Sequence, residues 1–353
     1  MNKESYEFAP DDFLLVGDAK DAYVDENYMK QSYWKDILSR FAKNKGAIAG
    51  LLVIFLIVIM AVIGPGLNDY TYDGQIIQHQ NLAPRVKVFE RLGIGIFDGA
   101  ETMNTSTGVV EINKYVSEDP TVTTGLEDTY YWFGTDVLGR DLFTRTWTGT
   151  RISLYIALVA VLVDMLFGMS YGLISGYFGG RVDMVMQRFS EVINGIPTLV
   201  LVTLLIIIMK PGLMTITLAL ALTGWIGMSR IARAQVLKLK EQEFILASKT
   251  LGAKDFFIIF KEILPNIFGQ LIIMSMFSVP NAIFTEAFLA FVGLGVPAPS
   301  ASLGSLISEA FKSFTTHPYM IVFPVIVLAL IMLSFNLLAD GLRDAFDPKM
   351  KER

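Results

Sequence analysis

Residues 46–64 read GAIAGLLVIFLIVIMAVIG, a run without a single charged side chain. A bilayer core about 30 Å thick is crossed by a helix of about 20 such residues, and few soluble folds bury a segment that is apolar all round. The run begins well inside the chain, is too long for the apolar core of a secretory signal, and closes on Gly64-Pro65 instead of a small-x-small cleavage pattern, so it reads as a retained anchor. Five further apolar runs, at about 152–177, 194–209, 213–228, 268–291 and 321–340, bring the expected spans to six. With 53% hydrophobic and only 18% charged residues, the composition excludes an ordinary soluble domain and a disordered chain. A net charge of −5 without a basic stripe excludes a nucleic-acid binder.

Positive charge near the spans sets their orientation. Lys35, Arg40, Lys43 and Lys45 precede the first run, Arg181 and Arg188 lie between the second and third, and Arg343, Lys349, Lys351 and Arg353 follow the sixth. Seven more basic residues, from Arg230 to Lys261, fill the fourth-to-fifth connection, whereas the short opposite connections carry only Lys210 or Lys312. The expected layout is a cytoplasmic tail and anchor approach at 1–45, a first transmembrane helix at 46–64, an extracytoplasmic insert at 65–151, a transmembrane core at 152–340 with a cytoplasmic loop at 230–267, and a cytoplasmic tail at 341–353. The insert is rich in Thr, Gly, Tyr and Val and reads as a small β-containing module; residues 1–26, with eight acids against two lysines, read as a solvated tail.

The absence of cysteine removes thiolate metal sites and cysteine nucleophiles, and the two histidines, His79 and His317, lie far apart, so neither a metal site nor a catalytic residue is expected. The 230–267 loop is longer than a bare connection requires. In it Phe244, Ala247 or Ser248, and Leu251 recur at helical spacing, Gly252 stands where a helix stops, and Leu264-Pro265 marks the return to the membrane. This describes an amphipathic helix across the cytoplasmic face; periodicity alone favours a surface helix packed on its own spans.

The stretch EFILASKTLGAKDFFIIFKEILPN resembles the EAA loop of ABC importer permeases of the oligopeptide and dipeptide group, whose pattern is E-[FY]-V-x-A-A-R-x-L-G followed by I-L-P-N. Glu243, Phe244, Ala247, Leu251, Gly252, Ile263, Leu264, Pro265 and Asn266 match, while Ser248, Lys249 and Glu262 depart from it. YWKDILSRFAKNKGAIAG, FGTDVLGRDLFTRTWTGTRISL, GLISGYFGGRVDMVMQR, EAFLAFVGLGVPAPSASLG and LADGLRDAFDPK resemble other parts of the same group in the same order. The resemblance implies an all-α polytopic protein with the six-helix fold of a type I importer permease and the extracytoplasmic insert between helices 1 and 2. It implies an oligopeptide or dipeptide permease subunit in a bacterial cell membrane. Its partners would be a second homologous permease, two cytoplasmic ATPase subunits and an extracytoplasmic peptide-binding protein.

Glu243, Phe244, Ala247, Ser248, Leu251, Gly252, Leu264 and Pro265 would then couple to an ATPase. No G-x-x-x-x-G-K-[ST] phosphate loop is present, so this chain is expected to bind no cofactor and to leave ATP and Mg to its partners. Asp164, Asn194, Asn281 and Glu286, polar residues within apolar runs, are the candidates for the translocation path or its gate. A nickel or glycopeptide permease of the same group is the alternative; an ion-coupled secondary transporter would need deep coupling carboxylates and no docking helix.

Overall fold

The computed structural model describes residues 33–91, 97–105, 108–116 and 124–346. The acidic 1–26 tail and the last basic residues, Lys349, Lys351 and Arg353, lie outside them. Helix α1 (Tyr33–Lys43) buries Ile37 and Phe41 and turns Trp34 and Leu38 outward. Asn44 interrupts it and caps α2 (Lys45–Ile63), its side-chain oxygen accepting from the Ala47 N–H at 3.1 Å. Asp141 caps α3 (Leu142–Phe178) in the same way, through the Thr144 N–H at 2.8 Å. Within α3 the backbone widens into a π turn at Asp164–Gly168. Next come α4 (Gly180–Asn194), α5 (Thr198–Met209) and α6 (Leu213–Leu239), then the short α7 (Glu243–Thr250). The chain closes with α8 (Asp255–Leu294), α9 (Leu303–Phe311) and α10 (Tyr319–Phe346).

Five of these helices are long and apolar enough to cross a membrane, or six if α4 and α5, bent 76° at their junction, make one broken span. The third apolar run, expected at about 194–209, therefore corresponds to the second half of a bent pair. α5 has 12 residues, which reach about 18 Å at 1.5 Å per residue, well short of a bilayer core. Its other half, α4, carries Arg181, Asp183, Arg188 and Glu191, charges that conceal it from a hydropathy count. Pro265, which would ordinarily break a helix, does not do so here. It lies inside the continuous α8 rod, just after a second π turn at Ile258–Ile263 that accommodates the missing N–H without ending the helix.

Small residues set how closely the rods approach. Gly168, Gly172 and Gly176, one per turn of α3, face α6. A Cβ at Gly172 would stand 2.3 Å from the Ser229 carbonyl oxygen and one at Gly168 would stand 2.6 Å from that of Trp225. α2 meets α10 in the same manner: a Cβ at Gly50 would lie 2.7 Å from the Ser334 carbonyl, and one at Gly341 would lie 2.1 Å from the Ala47 Cβ.

Among the described residues of the insert is an antiparallel hairpin, β1 (Ala100–Thr105) with β2 (Gly108–Asn113), in register from Ala100↔Asn113 to Thr105↔Gly108. Its core is Leu82, Tyr115 and Tyr131, with the Tyr115 hydroxyl donating to the Ala83 carbonyl at 2.8 Å. The module is fastened to the start of α10. Phe133 stacks on Phe323 with centroids 3.9 Å apart, the Tyr319 hydroxyl donates to the Thr135 carbonyl at 2.9 Å, and His317 Nδ1 lies 2.8 Å from Glu101 Oε2.

Candidate functional site

Two regions concentrate polar chemistry in the bundle: α7 with its supports, and a cavity between the long helices. In α7, Ile245 is the side chain that packs inward, fully buried among Leu173, Tyr177, Val236 and Ile259. Phe244, Ala247 and Leu251 point outward, Leu251 with 88% of its surface exposed. The stripe legible in the sequence is thus the free face of the helix, and the residue that anchors it went unnoticed. Glu243 opens the helix where the N-terminal dipole favours an acid. Gly252 ends it at φ +80°, its N–H bonded to the Lys249 carbonyl at 3.0 Å.

Two side-chain contacts tie α7 to two different rods, and a third joins those rods to each other. The Ser248 hydroxyl donates to Glu262 Oε1 at 2.6 Å, so two of the positions that depart from the EAA pattern bond to each other. Lys249 Nζ sits 4.8 Å above the Tyr177 ring, and the Tyr177 hydroxyl donates to Asp255 Oδ1 at 2.6 Å. Leu264 and Pro265 follow Glu262 in α8, and Leu264 packs against the apolar cluster that holds Ile245. Nearby, Arg233 of α6 forms a two-pronged ion pair with Asp183 of α4, both contacts at 2.6 Å, and Ser175 of α3 donates to the same carboxylate at 2.5 Å. Sequence reasoning used Arg233 only as an orientation charge; the isolated acid in GGRVDMVMQR was the signal that α4 needed a basic partner.

The cavity has a volume of about 540 Å³ and lies among α3, α6, α8 and the α4–α5 bend. It gathers Asp164 from the π turn of α3, Asn194 and Thr198 from the bend, Thr223 from α6, and Ser278 and Asn281 from α8. Three of the four polar candidates thus share one site. Glu286 does not line it. Its carboxylate is fully buried one layer away, accepting from the Ser302 hydroxyl at 2.5 Å and the Ser153 hydroxyl at 3.4 Å, while Ser153 Oγ also receives the Leu303 N–H at 3.1 Å. Glu286 therefore clamps the N-terminus of α9 to α3 and α8. The other end of α9 is held by Glu309, which pairs with Arg140 at 3.0 Å and Arg145 at 3.1 Å; Asp136 orders the same turn by accepting the Leu138 and Arg140 N–H groups. Among the described residues no group of His, Asp and Glu is arranged to hold a metal ion.

Residues 168–352 match the family described as binding-protein-dependent transport system inner membrane component, and residues 32–84 match the N-terminal TM domain of oligopeptide transport permease C. The chain belongs to this inner-membrane-component family. Like its family, it has the type I importer permease fold and is a multi-span protein of the cell membrane. Among curated relatives, the oligopeptide transport system permease protein OppC of Bacillus subtilis is 41% identical over 321 residues, 91% of each chain. The dipeptide transport system permease protein DppC of the same organism is 41% identical over 350 residues, covering 99% of this chain and 96% of that one. A solved inward-facing MetNI methionine ABC transporter aligns with 57% of this chain and 97% of its own at 16% identity and a TM-score of 0.49.

Proposed function

We propose that this inner-membrane component is one permease subunit of an ATP-driven oligopeptide or dipeptide importer, forming half of the translocation path. The family and the peptide-permease names of its relatives support that reading. The observation that carries its mechanism is α7: a short helix tied to α3 by Lys249 over the Tyr177 ring and to α8 by the Ser248–Glu262 hydrogen bond, whose outer side, with Phe244 and Leu251, is free. Such a helix transfers a push from a docked subunit directly to two spans. Burial of exposed apolar area supplies the docking energy, about 25 cal/mol for each Å² covered.

The chain then hydrolyses nothing. ATP and Mg belong to two cytoplasmic ATPase subunits, a second homologous permease completes the path, and an extracytoplasmic binding protein delivers the peptide. Both termini and the 230–267 loop face the cytoplasm, and the insert faces outward. Asp164, Asn194 and Asn281 line this chain's half of the path, with Glu286 holding the α9 gate beside it. Purification of the membrane complex, identification of the co-purifying subunits and measurement of peptide uptake test the proposal. Recovery of a self-sufficient homodimer, or uptake of nickel but not peptide, would overturn it.

A further inference from the structure

Among the residues lining the 540 Å³ cavity, Asp164 is the single ionisable side chain; its company is Asn, Thr, Ser, Gly and apolar groups. It is buried to 6% exposure, and Ser278 of α8 lines the same cavity. A carboxylate flanked by hydrocarbon is costly unless a countercharge is present, and charged groups inside membrane helices mark the route of a charged substrate. Two local features set the acid at the cavity wall. It opens a π turn, which displaces one residue of the helix out of regular register, and the facing position is Gly224, where even a Cβ would come within 3.3 Å of Asp164 Oδ1.

We infer that Asp164 receives the organic cation of the passing peptide, an ammonium or guanidinium, and so makes this half of the path selective for charge. The inference rests on the reading of the cavity as the peptide route. A free peptide carries such a cation at its amino terminus and at every Lys or Arg side chain. The surrounding amides and hydroxyls of Asn194, Asn281 and Thr223 then accept from, or donate to, the backbone without discriminating sequence.

The test compares wild-type, Asp164→Asn and Asp164→Glu permeases in the complete importer, with trilysine, trialanine and propionyl-dialanine, which lacks the terminal ammonium, each supplied at a concentration the wild type imports. Asp164→Asn should lower trilysine uptake about tenfold more than propionyl-dialanine uptake, equivalent to about 1.4 kcal/mol. Asp164→Glu should retain the preference. A fall in trialanine uptake as deep as that of trilysine assigns the contact to the amino terminus; a fall confined to trilysine assigns it to side chains. Equal changes for all three peptides, or none, would overturn the inference and leave Asp164 as an interhelical hydrogen bond. The path reading has its own arm. The chain contains no cysteine, so Asn281→Cys in an otherwise cysteine-free complex can be labelled selectively with a charged methanethiosulfonate. Blocked uptake of every peptide upholds the route, whereas unaffected uptake sinks the route and the inference with it.

Discussion

Gly252 occupies φ +80° with nothing within 4 Å of where a Cβ would stand, so a substitution there perturbs the backbone alone. The left-handed conformation costs a residue with a Cβ about 1–2 kcal/mol, and a β-branched side chain resists it further. Gly252→Val should leave membrane abundance normal but sharply reduce peptide uptake, and Glu243→Lys, a charge reversal at the helix start, should do the same. Normal uptake by both variants at normal abundance would make α7 a passive surface element. His79 supplies a second test at this scale. Burial holds its ring below the usual value of 6.5, and its Nδ1 lies 2.7 Å from the Tyr131 hydroxyl. The locally unfolded segment therefore binds the proton more readily than the folded one. His79's contribution is complete above about pH 6.5 and declines as pH falls toward the depressed value. Hydrogen exchange at residues 76–85 should rise between pH 7.5 and 5.5, and His79→Asn should flatten that dependence; a flat wild-type profile would contradict it.

At the scale of elements, the glycine row of α3 is the sharpest prediction. Replacing Gly172 with Val places side-chain atoms inside the Ser229 carbonyl contact, an overpacking that costs about 1–3 kcal/mol or more because two backbones must separate. The complex should be lost from the membrane, while Gly227→Ala, at a position open to 4 Å, should accumulate normally. Wild-type levels of the Gly172→Val protein would mean that α3 and α6 are free to part. The apolar spans were legible because hydropathy is a sum over many residues. α4–α5 was missed because half of it is amphipathic, and a 76° bend leaves no mark in a composition window. The inward face of α7 was misjudged for a related reason: Phe244, Ala247 and Leu251 form a proper stripe, yet the side chain that anchors the helix to its own bundle is Ile245, which has no apolar companion at helical spacing within those eight residues. Asp164, Asn194 and Asn281 were individually conspicuous, but that they share a cavity while Glu286 stands apart depends on how four helices cross, and spacing along one chain does not encode it.

For the whole molecule, the orientation argued from positive charge is open to direct measurement. Val116, exposed in the insert, and Lys254, exposed beyond α7, lie on opposite sides of the bundle in that reading. A cysteine at Val116 should react with a membrane-impermeant thiol reagent in intact cells, and one at Lys254 should react only after the cells are opened; the reverse pattern would move the ATPase site outside. The pairing of α2 with α10 has a consequence for biogenesis. The first span leaves the ribosome and enters the bilayer long before the helix whose carbonyls its Gly50 touches has been translated. During that interval its small-residue groove faces lipid or a chaperoning insertase, so nascent chains halted before residue 319 should be held by the insertion machinery and cleared by membrane proteases, and release should coincide with the arrival of α10.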